Sequence, residues 1–464
     1  MPASLRTLES HGANEVEQEK SEMFTRRLLL QSGMATLLLD QLLNPLHAEA
    51  APMIVVTPVK ADLAANIGFN VKPEDFNTTQ GPYATMWDSN PGVLTWLAQS
   101  KVRFARVGGG PPSGDSPAHK AEYFDRCREM VAQGIGLAAV VASTTGIANM
   151  DAHYQNMSSG WKFIEGQNEP TSCLVTEAFQ TQLYLAVKSD SVVGPPGANL
   201  PVVGPALTTF VCAVMSAVAD VGDWHTYIHG KWPESKGWMT GYLDNAHDTV
   251  PNRPVMISEL GYRSVQPGEL PGQNRIAGVP DDIIARYVAR WVIFNLHTGF
   301  SGPQIFHQLC DNHVPSPTDE QTGYGFVDFS GHPKPQLATV ASLITLFADP
   351  NTFTPTPLNG TFTSDTGDVV FTLFQRSDGT YLLAFCRGIS GWDDVHYIRI
   401  DNSHSPATST ITVPATALGQ MATLTTFADD GTTSNGTIFP SSVGGNAQFQ
   451  ISTHDRLMVL AFKA

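Results

Sequence analysis

Short apolar runs alternate with longer amphipathic segments from about residue 66 to about residue 346. Eight runs have the length and composition of buried strands, namely 66–70, 102–107, 137–142, 162–165, 202–204, 223–227, 255–258 and 304–308. Helix-like stretches separate them, among them 118–133, 177–188, 281–295 and 336–347. Strands that alternate with helices predict a parallel sheet. Eight units in about 280 residues predict an α/β fold, a (β/α)8 TIM barrel, whose usual size is about 250 residues.

The pattern changes after Asp349, where Thr, Ser, Gly and Val become frequent. Runs at 369–375 and 380–385 alternate around a Ser-Asp-Gly turn and predict an antiparallel hairpin. Five more runs follow, at 396–400, 408–413, 422–427, 447–451 and 457–462. They predict a C-terminal antiparallel β-sandwich of about seven strands. We therefore place a barrel domain at 51–349 and a β-sandwich domain at 350–464, with the early strand 53–57 as a candidate to join the sandwich.

Residues 1–50 predict an export signal that is removed. Arg26-Arg27 precede a modestly apolar stretch that ends at Ala48-Glu49-Ala50, a pattern suited to a signal peptidase. This resembles a twin-arginine export signal and implies a periplasmic or secreted protein. A membrane-anchoring helix is the alternative, but polar residues break a stretch that would need about 20 mostly apolar residues to span. The acidic segment before Met23 is unlike a signal's basic region, so Met23 is a candidate for the true start.

Composition and charge narrow the possible partners. The chain has 464 residues, of which 42% are hydrophobic and 15% charged, as in a globular protein with a large core. Its net charge is −16, and it has no basic cluster beyond Arg26-Arg27, which argues against nucleic acid and against an anionic membrane surface. The five cysteines are scattered singly, so neither a zinc ribbon nor a disulfide scaffold is indicated, and at least one thiol is unpaired.

Two predicted strands end in a glutamate. The strand at 162–165 leads into Asn168-Glu169-Pro170, and the strand at 255–258 leads directly into Glu259. In a TIM barrel these positions lie at the C-terminal rim, where the reacting residues are found. Asn-Glu-Pro could also be a simple helix entry with Asn168 as the N-cap. Capping, however, gives no reason for a second glutamate three strands away.

These two segments resemble the clan A retaining glycoside hydrolases, which carry Asn-Glu at the end of strand four and a Glu at the end of strand seven. The resemblance implies that Glu169 is the general acid/base, that Asn168 binds the sugar 2-hydroxyl and that Glu259 is the nucleophile. Retaining enzymes need two carboxyl groups about 5 Å apart, one neutral to protonate the leaving oxygen and one ionised to attack the anomeric carbon.

Further strand ends match the same pattern. His225-Thr226-Tyr227 resembles the His-x-Tyr of several clan A families, in which period-two alternation aims both rings inward. Arg106, on the second strand, matches an arginine that keeps the nucleophile ionised in such enzymes. Glu165 has two candidate roles, a buried partner of Arg106 or part of a rim salt bridge. These matches name His225, Tyr227 and Arg106 as substrate-binding residues.

The eighth strand departs from the clan, which often has a tryptophan platform there. This chain reads Ile-Phe-His-Gln-Leu-Cys-Asp-Asn over 305–312, with Gln308 and Asp311 as candidate sugar contacts and His307 as a core or rim histidine. The segment Asp311-Asn312-His313 resembles no strong metal site, and Asp311 is a candidate partner of a sugar hydroxyl. Trp224 is a candidate stacking platform, although a single tryptophan more often serves packing.

The stretch 278–311 and the phrases at 331–335 and 375–381 resemble a group of secreted bacterial clan A proteins. The β-xylosidase/α-iduronidase and heparanase-like β-glucuronidase families share this barrel-plus-sandwich plan. We therefore expect an exported retaining glycoside hydrolase that cleaves β-glycosidic bonds of a carbohydrate substrate without metal or cofactor, and binds neither nucleic acid nor, after signal removal, membrane. A non-catalytic polysaccharide-binding or scaffold protein and a transglycosylase are the alternatives. Sugar, linkage and oligomeric state stay open.

Overall fold

The computed structural model describes residues 53–76, 81–111, 114–157, 160–189, 200–208, 212, 214–235 and 238–464. The predicted export signal lies outside these residues. Within the described residues, no helix has the length and apolar character to cross a bilayer.

The strands are β1 Ile54–Val56, β2 Val59–Lys60, β3 Ile67–Asn70, β4 Phe104–Gly108, β5 Gly136–Val140, β6 Trp161–Glu165, β7 Val202–Val203, β8 Gly222–Thr226, β9 Val255–Leu260, β10 Gln304–Phe306, β11 Leu358–Ser364, β12 Val369–Gln375, β13 Tyr381–Arg387, β14 Trp392–Asp393, β15 Ile398–Arg399, β16 Ala407–Val413, β17 Ala422–Phe427, β18 Thr433–Ile438, β19 Ser441–Val443, β20 Asn446–Thr453 and β21 Met458–Phe462.

The α-helices are α1 Pro82–Thr85, α2 Val93–Ser100, α3 Pro117–Ala132, α4 Thr144–Ala148, α5 Met150–Met157, α6 Cys173–Ser189, α7 Trp238–Thr249, α8 Asp281–Thr298 and α9 Pro335–Phe347. Two 3-10 helices lie at Ala61–Ala65 and Ala415–Ala417. The four helices predicted from periodicity correspond to α3, α6, α8 and α9.

The predicted barrel is confirmed. Strands β3 to β10 form one parallel sheet in the order β7-β6-β5-β4-β3-β10-β9-β8. Parallel bridges from Val203 to Val221 and from Leu207 to Trp224 link the two outer strands and close the sheet. Strands β8 and β9 are buried at every position, as expected for strands of a parallel sheet that is covered on both faces.

The C-terminal sandwich is also confirmed. It consists of a five-stranded sheet, β1-β11-β16-β20-β19, and a six-stranded sheet, β18-β17-β21-β13-β12-β2. Apolar side chains from both sheets, such as Phe385, Ile411, Phe449 and Leu460, form the core between them. The early strand joins the sandwich as expected, because Ile54 pairs with Gly360. Ile54–Val56 and Val59–Lys60, which precede the barrel, are therefore part of the sandwich sheets.

Two details of the predicted sandwich are wrong. The two sheets contain eleven strands instead of about seven, because β1, β2, β11, β18 and β19 add to six of the predicted runs. The run at 396–400 joins neither sheet; only Ile398–Arg399 is extended, and it pairs with β14 in a separate ribbon. Ile398 is 59% exposed, so this apolar alternation has no face to bury.

The sandwich packs against α8 and α9, which also cover the barrel. Phe347 at the end of α9 meets Phe374 of β12 with ring centroids 5.1 Å apart. Sandwich residues also bind the loop that follows β8, since Trp232 Nε1 donates to the carbonyl of Gly388 at 2.9 Å. A part of the barrel rim is thus attached to the sandwich. At another part of the rim, a disulfide joins Cys173 to Cys212, while Cys127, Cys310 and Cys386 are free and buried.

Candidate active site

A polar cavity of about 410 Å³ opens at the C-terminal end of the barrel strands. Its lining contains five of the nine residues singled out from the sequence, together with residues from α7 and from the connections after β7, β8, β9 and β10. The lining residues are Asn168, Glu169, Thr208, His225, Tyr227, His229, Tyr242, Glu259, Arg275, Ile276, His307, Gln321 and Tyr324. Both glutamates that were predicted at strand ends therefore reach one cavity.

Glu259, on β9, is a buried carboxylate with both oxygens bound. Arg106 donates from Nη1 to its Oε1 at 2.5 Å, and the Tyr227 hydroxyl donates to its Oε2 at 2.7 Å. Burial by itself raises the pKa of Glu259, but the charges of His225 and Arg106 outweigh burial and hold the pKa well below its usual range. Glu259 is therefore ionised at neutral pH and faces the cavity as a fixed anion.

Arg106, on β4, is buried and bridges three residues of the site. Its Nε and Nη2 bind the two oxygens of Glu165 at 2.7 and 2.5 Å, and Nη2 also donates to Oδ1 of Asn168 at 2.6 Å. Glu165, fully buried at the end of β6, is thus the buried partner of Arg106 rather than a rim residue. The guanidinium fork fixes Glu259 and Asn168 in position at the same time.

Glu169 differs from Glu259 in its exposure and its backbone. Its side chain is 43% exposed, against 11% for Glu259. Its φ of 43° lies in the left-handed region, which is uncommon for a residue with a side chain. The N–H of Glu169 donates to the carbonyl of Ala206 at 3.0 Å, which anchors this turn to the segment after β7. Strained backbone of this kind is often retained where it aims a functional side chain.

His225 joins the two glutamates. Its Nδ1 lies 2.9 Å from Oε1 of Glu169 and 3.4 Å from Oε2 of Glu259. One carboxylate oxygen from each glutamate and one ring nitrogen of His225 all lie within 4.8 Å of one another. The site therefore contains one ionised, buried carboxylate and one accessible carboxyl group that share a histidine.

Sequence reasoning placed His307 in the core or rim and did not find Tyr324. His307 follows β10, and its Nδ1 lies 3.9 Å from Oε2 of Glu259 and 3.2 Å from Nδ2 of Asn70. Its ring meets that of Tyr324 edge-on, with centroids 5.5 Å apart. These rings occupy the strand-eight side of the cavity, where the clan often has a tryptophan. Burial lowers the pKa of His307, so its ring is neutral at neutral pH.

The structure does not bring Trp224, Gln308 and Asp311 to the cavity. Trp224 is buried on the outer face of β8 and packs against Tyr242. Gln308 is buried and donates to Asn312 at 2.5 Å. Asp311 forms a buried ion pair with Lys334 at 2.9 Å. Each of these three residues therefore packs or binds within the protein and does not line the cavity.

Among the residues that the structure describes, two groups of side chains offer three potential metal ligands each: Glu165 with Asp223 and His225, and Glu169 with His225 and Glu259. Arg106 already donates to Glu165 and Glu259, and Nδ1 of His225 lies 2.9 Å from Glu169. Asp223 accepts from Ser258. The guanidinium of Arg106 thus already supplies positive charge to two of the acidic groups. We assign no metal to the site, and the expectation of cofactor-free chemistry stays a prediction.

The architecture is that of a (β/α)8 barrel with an attached β-sandwich and two glutamates at its mouth. No protein-family model and no curated protein sequence matches the chain. Solved structures do match it. A family 39 glycoside hydrolase from the gut symbiont Bacteroides cellulosilyticus WH2 is 13% identical over 88% of this chain and 83% of its own, with a TM-score of 0.54.

Two other solved structures are similar over a comparable length. A glucosidase from Croceicoccus marinus is 12% identical over 89% of this chain and 97% of its own, with a TM-score of 0.53. The GH51 arabinofuranosidase from Xanthomonas axonopodis pv. citri is 12% identical over 89% of this chain and 98% of its own, with a TM-score of 0.51. At these identities the similarity establishes the fold, and any reaction must be argued from the site itself.

Proposed function

We propose that the protein is a retaining glycoside hydrolase that cleaves β-glycosidic bonds of an oligo- or polysaccharide by double displacement. One observation carries this proposal: an ionised Glu259 and an accessible Glu169 face one cavity, with carboxylate oxygens within 4.8 Å of each other. Retaining enzymes keep their two carboxyl groups about 5–5.5 Å apart, whereas inverting enzymes keep them about 6.5–9.5 Å apart to admit a water. The short distance between one oxygen of Glu169 and one oxygen of Glu259 supports the retaining arrangement.

The different surroundings of the two carboxyl groups give them different roles in the reaction. In the first step Glu169 protonates the glycosidic oxygen while Glu259 attacks the anomeric carbon, so that the leaving alcohol departs and a glycosyl ester forms on Glu259. In the second step Glu169, now a carboxylate, takes a proton from water as the water attacks the same carbon. The ester bond breaks, Glu259 regains its charge and Glu169 its proton.

The surrounding side chains support this division. Arg106 and Tyr227 hold both oxygens of Glu259, which keeps the nucleophile ionised and correctly oriented. The amide oxygen of Asn168 is bound by Arg106, so its amide NH2 is the group left for a sugar hydroxyl. The lining of hydroxyl, amide and imidazole groups suits the many hydroxyls of a carbohydrate.

The test is a panel of aryl β-glycosides and polysaccharides, with the anomeric form of the first released sugar followed by proton NMR. We expect hydrolysis of at least one substrate, with the product first released in the configuration of that substrate. Inversion would contradict the retaining mechanism. Binding without any turnover would favour a scaffold protein, and transfer mainly to a second sugar would favour a transglycosylase.

Glu169→Ala is expected to affect substrates according to their leaving group. Activity on a substrate with a poor leaving group should fall by about 10³-fold or more, because general acid catalysis alone contributes roughly 10²–10⁴-fold. A dinitrophenyl glycoside needs no protonation, so its first step should survive, and azide should accelerate the second step and yield a β-glycosyl azide. A uniform loss on all leaving groups, with no azide rescue, would remove Glu169 from the acid/base role.

We also propose that the protein is exported through the twin-arginine route. Replacing both Arg26 and Arg27 by lysine should leave the precursor in the cytoplasm at its full length, because the export machinery recognises the paired arginines. Fractionation and the N-terminal sequence of the mature protein measure this. Unchanged export of the double variant would contradict the proposal.

A further inference from the structure

A chain of hydrogen bonds runs from Glu169 into the interior of the barrel. The Nδ1 atom of His225 lies 2.9 Å from Oε1 of Glu169, and Nε2 on the opposite side of the ring lies 3.1 Å from Oγ of Ser258. Ser258 Oγ in turn donates to Oδ2 of Asp223 at 2.5 Å. The chain therefore links the accessible carboxyl group of Glu169 to the carboxyl group of Asp223, which is only 2% exposed.

The strands explain why this chain is fixed. Asp223 and His225 lie two positions apart on β8, so they point to the same interior face. Ser258 immediately precedes Glu259 on the neighbouring β9, and its backbone N–H donates to Oδ1 of Asp223 at 2.9 Å. Ser258 thus binds both oxygens of Asp223, one through its backbone and one through its hydroxyl. The proposed double displacement, as described above, uses neither residue.

The polar and charged groups around Asp223 come from its own strand and from three others. Glu165 on β6 and Arg106 on β4 face it, with His225 on its own strand and Ser258 on β9. Burial, with a smaller contribution from Glu165, raises the pKa of Asp223 to about 7, although His225, Ser258 and Arg106 act in the opposite direction. A buried carboxyl group with such a pKa gains and loses a proton in the neutral range.

We propose that Asp223 and Ser258 form a buried proton relay that supplies the second proton of His225 and thereby controls the charge beside the acid/base Glu169. This inference rests on the proposed function, because it takes Glu169 as the acid/base. Asp223 and Ser258 are positioning residues, since they act on the reaction through His225 and do not contact the cavity.

The relay has two states with the same number of protons. In one, Asp223 is ionised, Ser258 donates to it, and His225 carries hydrogens on both ring nitrogens. In the other, the Nε2 proton has passed to Ser258 as the Ser258 proton passed to Asp223, which leaves a neutral acid and a neutral imidazole. In both states Nδ1 keeps its hydrogen and faces Glu169.

The two states suit the two half-reactions. Cationic His225 stabilises a negative charge on Glu169, the form that must accept a proton from water in the second step. Neutral His225 favours the protonated form, which must donate in the first step. A proton that moves between Asp223 and His225 can therefore adapt Glu169 to each step without a proton from solvent.

Ser258→Ala tests the relay because it changes no formal charge and removes only the linking hydroxyl. Without that link we expect a neutral His225, so that Glu169 gives up its proton less readily. The alkaline limb of the pH profile of kcat/KM should then move to higher pH by about one unit. Thr226→Val is the matched control, because Thr226 is a buried neighbour on β8 whose hydroxyl has no partner within the described residues. The control should leave the profile unchanged.

A second measurement does not depend on turnover. In 15N NMR of histidine-labelled protein at neutral pH, we expect both ring nitrogens of His225 to be protonated in the wild type and only Nδ1 in Ser258→Ala. The signal is assigned by its absence from His225→Gln. Asp223→Asn serves as the second variant if Ser258→Ala does not fold, and it should also lose the Nε2 proton.

The outcomes separate the two proposals. If both the ring protonation and the pH profile of Ser258→Ala match the wild type, the relay is overturned while the hydrolase proposal stands. If the ring loses its proton but the wild type cleaves no glycoside, the hydrogen-bonded relay is supported and the proposed function fails. A lost Nε2 proton together with a shifted alkaline limb supports both.

Discussion

Replacing Glu259 with glutamine is expected to abolish turnover and lower kcat/KM by about 10⁴-fold or more, as removal of a nucleophile does in other enzymes. Glutamine keeps the size of the side chain and can still contact Tyr227. It lacks the negative charge that attacks the anomeric carbon, and it places a neutral group opposite Arg106. Leaving-group quality should make no difference, because both good and poor leaving groups require the nucleophile.

The measurement is kcat/KM on the best aryl glycoside of the panel, together with trapping by a 2-deoxy-2-fluoro glycoside. The wild type should gain the mass of one sugar on the peptide that contains Glu259, and Glu259→Gln should gain none. Glu320→Gln is the control, since Glu320 is another partly buried acid, paired with Arg275 beside the cavity. Near wild-type turnover of Glu259→Gln, or a label on another residue, would place the nucleophile elsewhere.

The barrel and its catalytic candidates could be predicted because both depend on local pattern. Each barrel strand is a short apolar run, and a residue at the end of such a run reaches the mouth whatever its neighbours are. This rule places Glu259, His225 and Tyr227 at the mouth, and the resemblance to clan A glycoside hydrolases is what singled them out. The role of Glu165 could be assigned only from the structure. The sequence left open whether Glu165 is a buried partner of Arg106 or part of a rim salt bridge, and only packing decides between the two.

The candidate sugar contacts that lie outside the cavity show what the local sequence pattern can and cannot predict. Trp224 lies between two inward residues of β8, so the alternation that aims His225 inward also aims Trp224 outward; that signal was present in the sequence. Asp311 is different, because its partner Lys334 lies on a long connection after β10 whose path no periodicity reveals. Tyr324 reaches the cavity from the same connection, and no pattern marks it.

The attachment of the sandwich to the barrel was predictable in kind but not in detail. Apolar strands had to bury one face, and the outer helices of the barrel were the nearest surface. The structure adds buried charge to that interface. Arg290 of α8 binds Glu234 in the loop after β8, with Nε 3.0 Å from Oε1, and both side chains are almost fully buried.

The same guanidinium also donates from Nη1 to the carbonyls of Ile389 and Asp455 in the sandwich, each at 3.0 Å. One side chain therefore connects a barrel helix, the loop that continues from His225 and Tyr227, and two sandwich segments. Buried ion pairs of this kind contribute little net stability compared with apolar replacements. Removal of one partner, however, leaves the other charge buried and unpaired.

Arg290→Met is accordingly expected to lower the free energy of unfolding by about 3–5 kcal/mol, because Glu234 is left buried without its cation and two carbonyls lose their donor. The denaturation midpoint of the full-length protein measures this.

Arg399→Met is the matched control, since Arg399 also joins the β14–β15 ribbon to α8, at Asp282, but with 57% of its side chain exposed. That surface pair should be worth about 0–1 kcal/mol. Glu234→Gln added to Arg290→Met should restore part of the loss, because it removes the stranded charge. Equal effects of Arg290→Met and Arg399→Met would show that the buried pair does not hold the sandwich to the barrel.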